Sequence, residues 1–298
     1  MSRATVRSMR TAGSLPNLFL KPENLQPFGS YKIRGVAQAF ESASKVQLAN
    51  GVQAASAGNM AQAVAFLARE QNLKCEIFVP DSAPEIKTNA IRSLGATLIK
   101  KPFSEIWDMI VRPPTINGLF IHPVFTPGLL EGYSRIAEEL IADISEVDAV
   151  VIPFGVGGLT LAIAERLKMI SPQTTVYAAE PETAAPLATS LTIGGSTKIT
   201  RTPSFIDAIG TPEVLPVIFA RVLRVVRTSL VVSVKDAQAA TVELMTCYNL
   251  KCEGAAAVAF SAAKCLAQTG RHKNVICILS GGNISTDLIQ SFTTTGRV

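Results

Sequence analysis

Charge is scarce in this chain: 17% of its 298 residues are Asp, Glu, Lys or Arg, and the basic ones form no run. The net charge of +5 is dispersed, which argues against a nucleic-acid binder. The best basic stripe, Arg221, Arg224 and Arg227, has the spacing of one face of a helix whose other face is apolar, and reads as a solvated surface. Histidine is rarer still. His122 and His272 are the only two and lie far apart, so a histidine-rich metal site is excluded, and no G-x-S-x-G elbow supports a Ser-His-Asp triad. The five cysteines (Cys75, Cys247, Cys252, Cys265, Cys277) are odd in number and form no C-x-x-C pair. They read as reduced core thiols of a cytosolic protein, not as a disulfide framework or metal site. No apolar run reaches the ~18–20 residues needed to cross a bilayer. "LVVSV" and "VICIL", among the longest, have strand length, so no membrane role is expected. The N-terminal "MSRATVRSMRTAGSLP" has three arginines and no acid, as transit peptides do, but lacks the apolar core of a secretory signal. Repeats and low-complexity linkers are missing too, so any two domains must be interleaved or tightly docked.

What is present is apolar sequence, 48% of the chain, in short β-branched runs. "NLFL", "VQAAS", "CEIFV", "ATLI", "GLFI", "DAVVIPF", "TVYAAE", "LVVSV" and "VICIL" are mostly continuous, the pattern of strands covered on both faces. Helical patterns alternate with them at residues 30–44, 60–70, 85–94, 134–143, 159–170, 212–227, 236–249 and 254–268. That alternation predicts an α/β protein with parallel sheets and crossover helices.

Ligands of open parallel sheets bind beyond the carboxyl ends of the strands, so the strand-to-helix junctions are where chemistry is sought. Four are unusually polar or glycine-rich: "GSYKIRG", "SAGNMAQ", "FGVGGL" and "SGGN". In "FGVGGL", Gly155, Gly157 and Gly158 remove side chains where a strand meets a helix, so successive amides can face an anion; a tight turn would use glycine equally. It matches neither G-x-x-x-x-G-K-[ST] nor G-x-G-x-x-G, which argues against nucleoside triphosphates and dinucleotides. In "SAGNMAQ", Ser56 or Asn59 can cap the following helix, and the same amides could hold a carboxylate. "SGGN" offers a hydroxyl and an amide at a strand end but no charge, and reads as a turn or a neutral hydrogen-bonding partner.

Taken in order, "KPENLQPFGSYKIRG", "SAGNMAQ", "FGVGGL", "YAAEPETAAPLA", "CEGAAAVA" and "LSGGN" resemble the fold-type II pyridoxal-phosphate enzymes, and within them the threonine/serine dehydratases and their serine racemase relatives. The resemblance runs from Thr5 to about Asp287. It implies the tryptophan synthase β-like architecture: a large cofactor-binding domain (residues 1–35 and 133–298) with a small domain (36–132) inserted. Lys32 matches the lysine joined covalently to pyridoxal 5'-phosphate, and Tyr31 the aromatic residue flanking the ring. The backbone of Gly155, Val156, Gly157, Gly158 and Leu159 would cradle the phosphate. Asn59 would hydrogen-bond the ring oxygen, Ser280 would face the ring nitrogen, and Glu253 would lie near the ring. Ser56, Ala57, Gly58 and Met60 would form the loop receiving the substrate carboxylate.

The implied reaction is β-elimination of water from L-threonine or L-serine, giving a 2-oxo acid and ammonia, with Lys32 as the base for the α-proton. Alternatives are another 3-hydroxy amino acid, such as phenylserine or hydroxyaspartate, or a cofactor-binding relative without activity. Met60 stands where the family has histidine. Val156 interrupts the glycine run, which phosphate binding survives if Val156 needs no positive φ. Ala57 replaces the serine that racemases use as second base, so racemisation should be poor. Glu180 and Ala184 match a cation site of some members, but Pro186 replaces its acidic ligand, so no metal is assigned. The chain ends soon after "SGGN", so no C-terminal regulatory domain and no feedback by isoleucine are expected. The short N-terminal segment would belong to the body. A cytoplasmic homodimer acting on a small amino acid, without nucleic acid or membrane, completes the expectation.

Overall fold

The computed structural model describes residues 10–12 and 15–294. The expectation that the body begins at Thr5 falls, for residues 5–9, outside the described residues. Along the chain β1 (Arg10–Ala12) and β2 (Leu15–Lys21) lead to α1 (Lys32–Ser42) and α2 (Lys45–Ala49). Then β3 (Val52–Ala55), α3 (Asn59–Glu70), β4 (Cys75–Pro80), α4 (Glu85–Arg92), β5 (Thr97–Lys101), α5 (Phe103–Val111) and β6 (Leu119–Ile121) alternate. They are followed by α6 (Leu129–Asp143), β7 (Ala149–Pro153), α7 (Gly158–Ile170), β8 (Thr175–Pro181), α8 (Pro186–Ile193) and α9 (Pro216–Val222). β9 (Thr228–Val232), α10 (Val234–Tyr248), α11 (Gly254–Gln268), β10 (Val275–Ile278) and α12 (Thr286–Thr294) complete the chain.

These elements form two compact units, one spanning Lys32–Tyr133 and the other drawn from the chain on either side of it. In the flanking unit a sheet runs β1-β2-β10-β7-β8-β9, parallel except where β1 pairs with β2. β7 is buried at every residue and so is β10, as expected of strands covered on both faces. α11 is apolar nearly all round because it is a core helix: its row of alanines lets it lie close against β2, β7, β8 and β10. In the Lys32–Tyr133 unit the sheet runs β5-β4-β3-β6, all parallel.

Two expectations are corrected. The helix predicted over 212–227 spans only Pro216–Val222, because Pro216 fixes its start and a tight turn follows it, the Val225 amide donating to the Val222 carbonyl and that of Arg227 to the Val176 carbonyl. Arg224 and Arg227 therefore follow the helix and share no helical face with Arg221, which instead holds Glu165 of α7 through two bonds of 2.9 and 2.7 Å. β9 ends at Val232, before the last two residues of "LVVSV", because Ser233 leaves the strand to cap α10, accepting from the Asp236 amide at 3.0 Å.

His122, buried just after β6, closes a hydrogen-bond knot. Its Nδ1 accepts from the amides of Val124 (3.1 Å) and Phe125 (3.0 Å), which leaves Nε2 to donate to the Ile110 carbonyl at 2.9 Å. Burial pushes its pKa below the ordinary 6.5, and the Ile110 bond opposes this more weakly. Since the unfolded chain binds the proton more readily, this contribution is complete above pH 6.5 and is lost as pH falls through the lowered native value. Urea midpoints should accordingly drop between pH 7 and pH 5. In His122→Asn that slope should shrink, at a neutral-pH cost of about 2–4 kcal/mol for the backbone groups left unsatisfied; an unchanged slope would refute the assignment.

Candidate active site

In the flanking unit, register brings three strand ends level. Ile278 of β10 pairs with Lys21 of β2, and Cys277 with Val151 of β7, so the chain leaves β10 and β7 side by side at their carboxyl ends. Beyond β10 the residues 280–283 are zipped to the segment before Lys32. Ser30 and Gly281 form an antiparallel bridge, the Tyr31 amide donates to the Ser280 carbonyl (3.2 Å), and the Gly282 amide donates to the Gly29 carbonyl (2.8 Å). Glu253, the N-terminal flanking residue of α11, is buried and donates its amide to the Gly281 carbonyl at 3.0 Å. Tyr31, Glu253 and Ser280 are thus brought together through their backbones. The Ser280 side chain is buried.

Beside them, β7 gives way to α7 through Gly155, Val156 and Gly157. No side chain caps α7. Gly157, its N-cap, has φ +100°, and a Cβ there would lie 2.7 Å from Ile218 Cγ2. Among the described residues the non-glycine positions with positive φ are Phe28, Asn72 and Asn249, so Val156 meets the condition set for it. The first-turn amides of α7 lie at the positive end of its dipole, beyond a turn where Gly157 leaves no room for a side chain. That arrangement fits a phosphate.

In the Lys32–Tyr133 unit, Lys32 is the first residue of α1, half-buried, with Nζ 5.9 Å from the centroid of the Tyr133 ring. Two glycines allow that approach. A Cβ on Gly35 would lie 2.3 Å from Tyr133 Cε1, and one on Gly132 2.3 Å from the Arg34 carbonyl oxygen. β3 and α3 meet at Ser56, Ala57 and Gly58, all half-buried, with nothing within 4 Å of the space a Cβ on Gly58 would take. Neither Ser56 nor Asn59 caps α3, contrary to expectation. Ser56 Oγ reaches only the Gly58 amide (3.1 Å), and Asn59 is already the first helical residue. The N-cap of α3 is Gly58, which has no side chain to cap the helix. Asn59 is half-buried; Met60 is buried.

Glu180 serves α8. Its Oε1 accepts from the Leu187 amide (2.9 Å) and its Oε2 from the Ala188 amide (2.8 Å) and Ser229 Oγ (2.6 Å). Burial raises its pKa and these bonds oppose the rise. Among the described residues no cluster of three or more His, Cys, Asp or Glu could hold a metal ion. Cys75, Cys252 and Cys277 are buried, and burial pushes the Cys75 thiol up to about 12 and the other two higher still, so they are inert packing. No helix among the described residues is long and apolar enough to cross a membrane. Sequence reasoning missed Tyr133 and Asn283: one looked like a core aromatic on a helix, the other like part of a glycine turn, and only tertiary contacts distinguish them.

The fold and its strand-end loops define a class: mixed α/β proteins with two parallel sheets, the fold-type II architecture. The family of pyridoxal-phosphate dependent enzymes matches residues 5–281, and this chain belongs to it. L-threonine ammonia-lyase of Thermotoga maritima is 31% identical over 301 residues, covering 100% of this chain and 74% of that protein. Chloroplastic biosynthetic threonine dehydratase 2 of Solanum lycopersicum is 30% identical over 285 residues, covering 93% of this chain; the chain spans about half of that relative's length (47%). The solved processed form of threonine deaminase isoform 2 from Solanum lycopersicum superposes with TM-score 0.85 at 28% identity, over 98% of this chain and 88% of that one. Serine racemase from Dictyostelium discoideum gives 0.79 at 28%, over 90% and 88%.

Proposed function

We propose that this chain is a pyridoxal 5'-phosphate-dependent ammonia-lyase that removes water from L-threonine or L-serine and yields a 2-oxo acid and ammonia. The observation that carries the reading is the start of α7 at left-handed Gly157, just beyond β7, whose neighbour β10 leads into Ser280, whose carbonyl holds the residue before Lys32. The amides of residues 155–159 hold the phosphate. Ser280 offers a hydroxyl, not a carboxylate, to the ring nitrogen; Tyr31 flanks the ring, Glu253 lies near it, and Asn59 bonds its oxygen. When bound, the cofactor supplies an electron sink for the carbanion left at the α-carbon. Lys32 supplies the amine that anchors the cofactor and, once released, takes the α-proton. The start of α3, with Ser56, Ala57 and Gly58, takes the substrate carboxylate.

The same reading gives Ala57 no proton to deliver, so racemisation is weak. A buried Met60 beside the substrate loop favours a less polar side chain, which keeps phenylserine as a second substrate class and makes hydroxyaspartate a poor one. A cytoplasmic homodimer accompanies the reading; size-exclusion chromatography with light scattering tests the dimer. The function itself is tested by incubating the cofactor-loaded protein with L-threonine, L-serine and phenylserine and measuring 2-oxo acid and ammonia. Product from threonine or serine supports the proposal, product from phenylserine alone moves it to the second class, and a coloured protein without product from any of them refutes a catalytic role.

A further inference from the structure

The segment leading into Lys32 is held in a conformation its sequence does not favour. Phe28 has φ 59° and ψ 20°, a left-handed conformation that a bulky side chain avoids, and Gly29 follows at φ +67°. Asn283 secures this pair of left-handed residues, its Nδ2 donating to the Phe28 carbonyl at 2.8 Å. A Cβ on Gly29 would sit 2.9 Å from Asn283 Oδ1, so the glycine makes room for the amide that holds its neighbour. Three further backbone links follow in step: Gly282 to Gly29, Ser30 to Gly281, and Tyr31 to Ser280. Gly282 is equally constrained, since a Cβ there would lie 2.4 Å from the Lys251 carbonyl oxygen. Lys32 is the next residue in the chain.

We infer that Asn283 is a positioning residue for Lys32: it locks the strained Phe28–Gly29 turn so that the Ser30–Tyr31 strand stays in register with Ser280 and delivers the lysine at a fixed place. The inference rests on the reading of Lys32 as the residue that bonds the cofactor. Strain at Phe28 is what gives the amide its role. Without the Asn283 bond, Phe28 can relax to negative φ, and the register that ends at Tyr31 is lost with it. A glycine at position 28 would carry no such strain, so the need for Asn283 should shrink when Phe28 is replaced.

The test uses the full chain stripped of cofactor and reloaded with pyridoxal 5'-phosphate. The Lys32 amine condenses with the aldehyde and releases water; borohydride then donates hydride to the carbon–nitrogen double bond, and the added mass on Lys32 is read by peptide mass spectrometry. Asn283→Ala and Asn283→Asp, neither of which can donate to the Phe28 carbonyl, should slow capture about tenfold, and the amide of Tyr31 should exchange with deuterium about tenfold faster. Phe28→Gly combined with Asn283→Ala should recover capture to within about threefold of the parent. A residue that merely supports the fold would lower the melting temperature without being rescued by Phe28→Gly. Unchanged capture and Tyr31 exchange in both Asn283 variants, or failure of the double variant to recover, overturns the inference. If the parent itself captures no cofactor on Lys32, the proposed function falls; if parent and Asn283 variants capture at one rate, only the clamp does.

Discussion

Lys32→Ala should leave a folded protein that carries no covalently bound cofactor and forms no measurable 2-oxo acid. The structural loss is small. Alanine is the best helix former, Lys32 is half-buried at the first position of α1, and its contact with the Tyr133 ring at 5.9 Å contributes about 0.5–1 kcal/mol. On the proposed reading of Lys32 the chemical loss is large, since general-base catalysis alone contributes about 10²–10⁴-fold and the proposed anchoring amine disappears with it. Lys32→Arg sharpens the comparison. It keeps the positive charge and the stacking on Tyr133, but a guanidinium does not give up its proton and does not form the bond. Both variants should melt near the parent temperature, take up no label on borohydride reduction, and lose turnover alike. Full turnover in either would remove Lys32 from the chemistry.

Why so much of this was legible beforehand is visible in β7, β10 and α11. A run such as "DAVVIPF" is apolar throughout because both faces are covered, and the alanine row of α11 is apolar all round because the helix lies in the core; composition alone carries that information. Short elements were not legible. β1 is a three-residue strand whose one partner among the described residues is β2, and α2, α5, α8 and α12 have few turns in which a period can accumulate. α9 was overextended because Arg221, Arg224 and Arg227 mimic helical spacing, while the chain's return to β9 beside β8 is set by a tight turn and a bond to Val176. At the site, junction motifs are visible because glycine and polar residues interrupt apolar runs. The contacts that make them useful are long-range: Ser280 to Tyr31, Asn283 to Phe28, Gly35 to Tyr133. Nothing in the local sequence around Ser56 shows that its hydroxyl stops at Gly58, the N-cap of α3.

Of Gly155, Val156 and Gly157, which lead from Phe154 into α7, Gly157 should be the one that cannot change. Alanine at 157 meets φ +100°, a backbone that side chains rarely adopt, and places Cβ 2.7 Å from Ile218 Cγ2 and 3.3 Å from Phe154 Cε2. Left-handed strain and overpacking together cost about 2–4 kcal/mol, and the turn can escape them only by rotating the amides proposed to face the phosphate. Cofactor affinity should then fall about 10²-fold, since 1.4 kcal/mol is tenfold. Gly155→Ala is milder, because its backbone is not left-handed and the new Cβ would meet Ile209 Cγ2 at 3.4 Å, an ordinary contact. Val156→Gly should be milder still, as the proposed phosphate site uses only the backbone at 156 and that position already lacks positive φ. Equilibrium dialysis of pyridoxal 5'-phosphate against the three variants should rank them 157, then 155, then 156 in order of lost affinity. A phosphate held by side chains elsewhere would leave all three near the parent. An equal loss in all three would mean that this stretch responds to substitution as a loop, without the geometry that singles out Gly157.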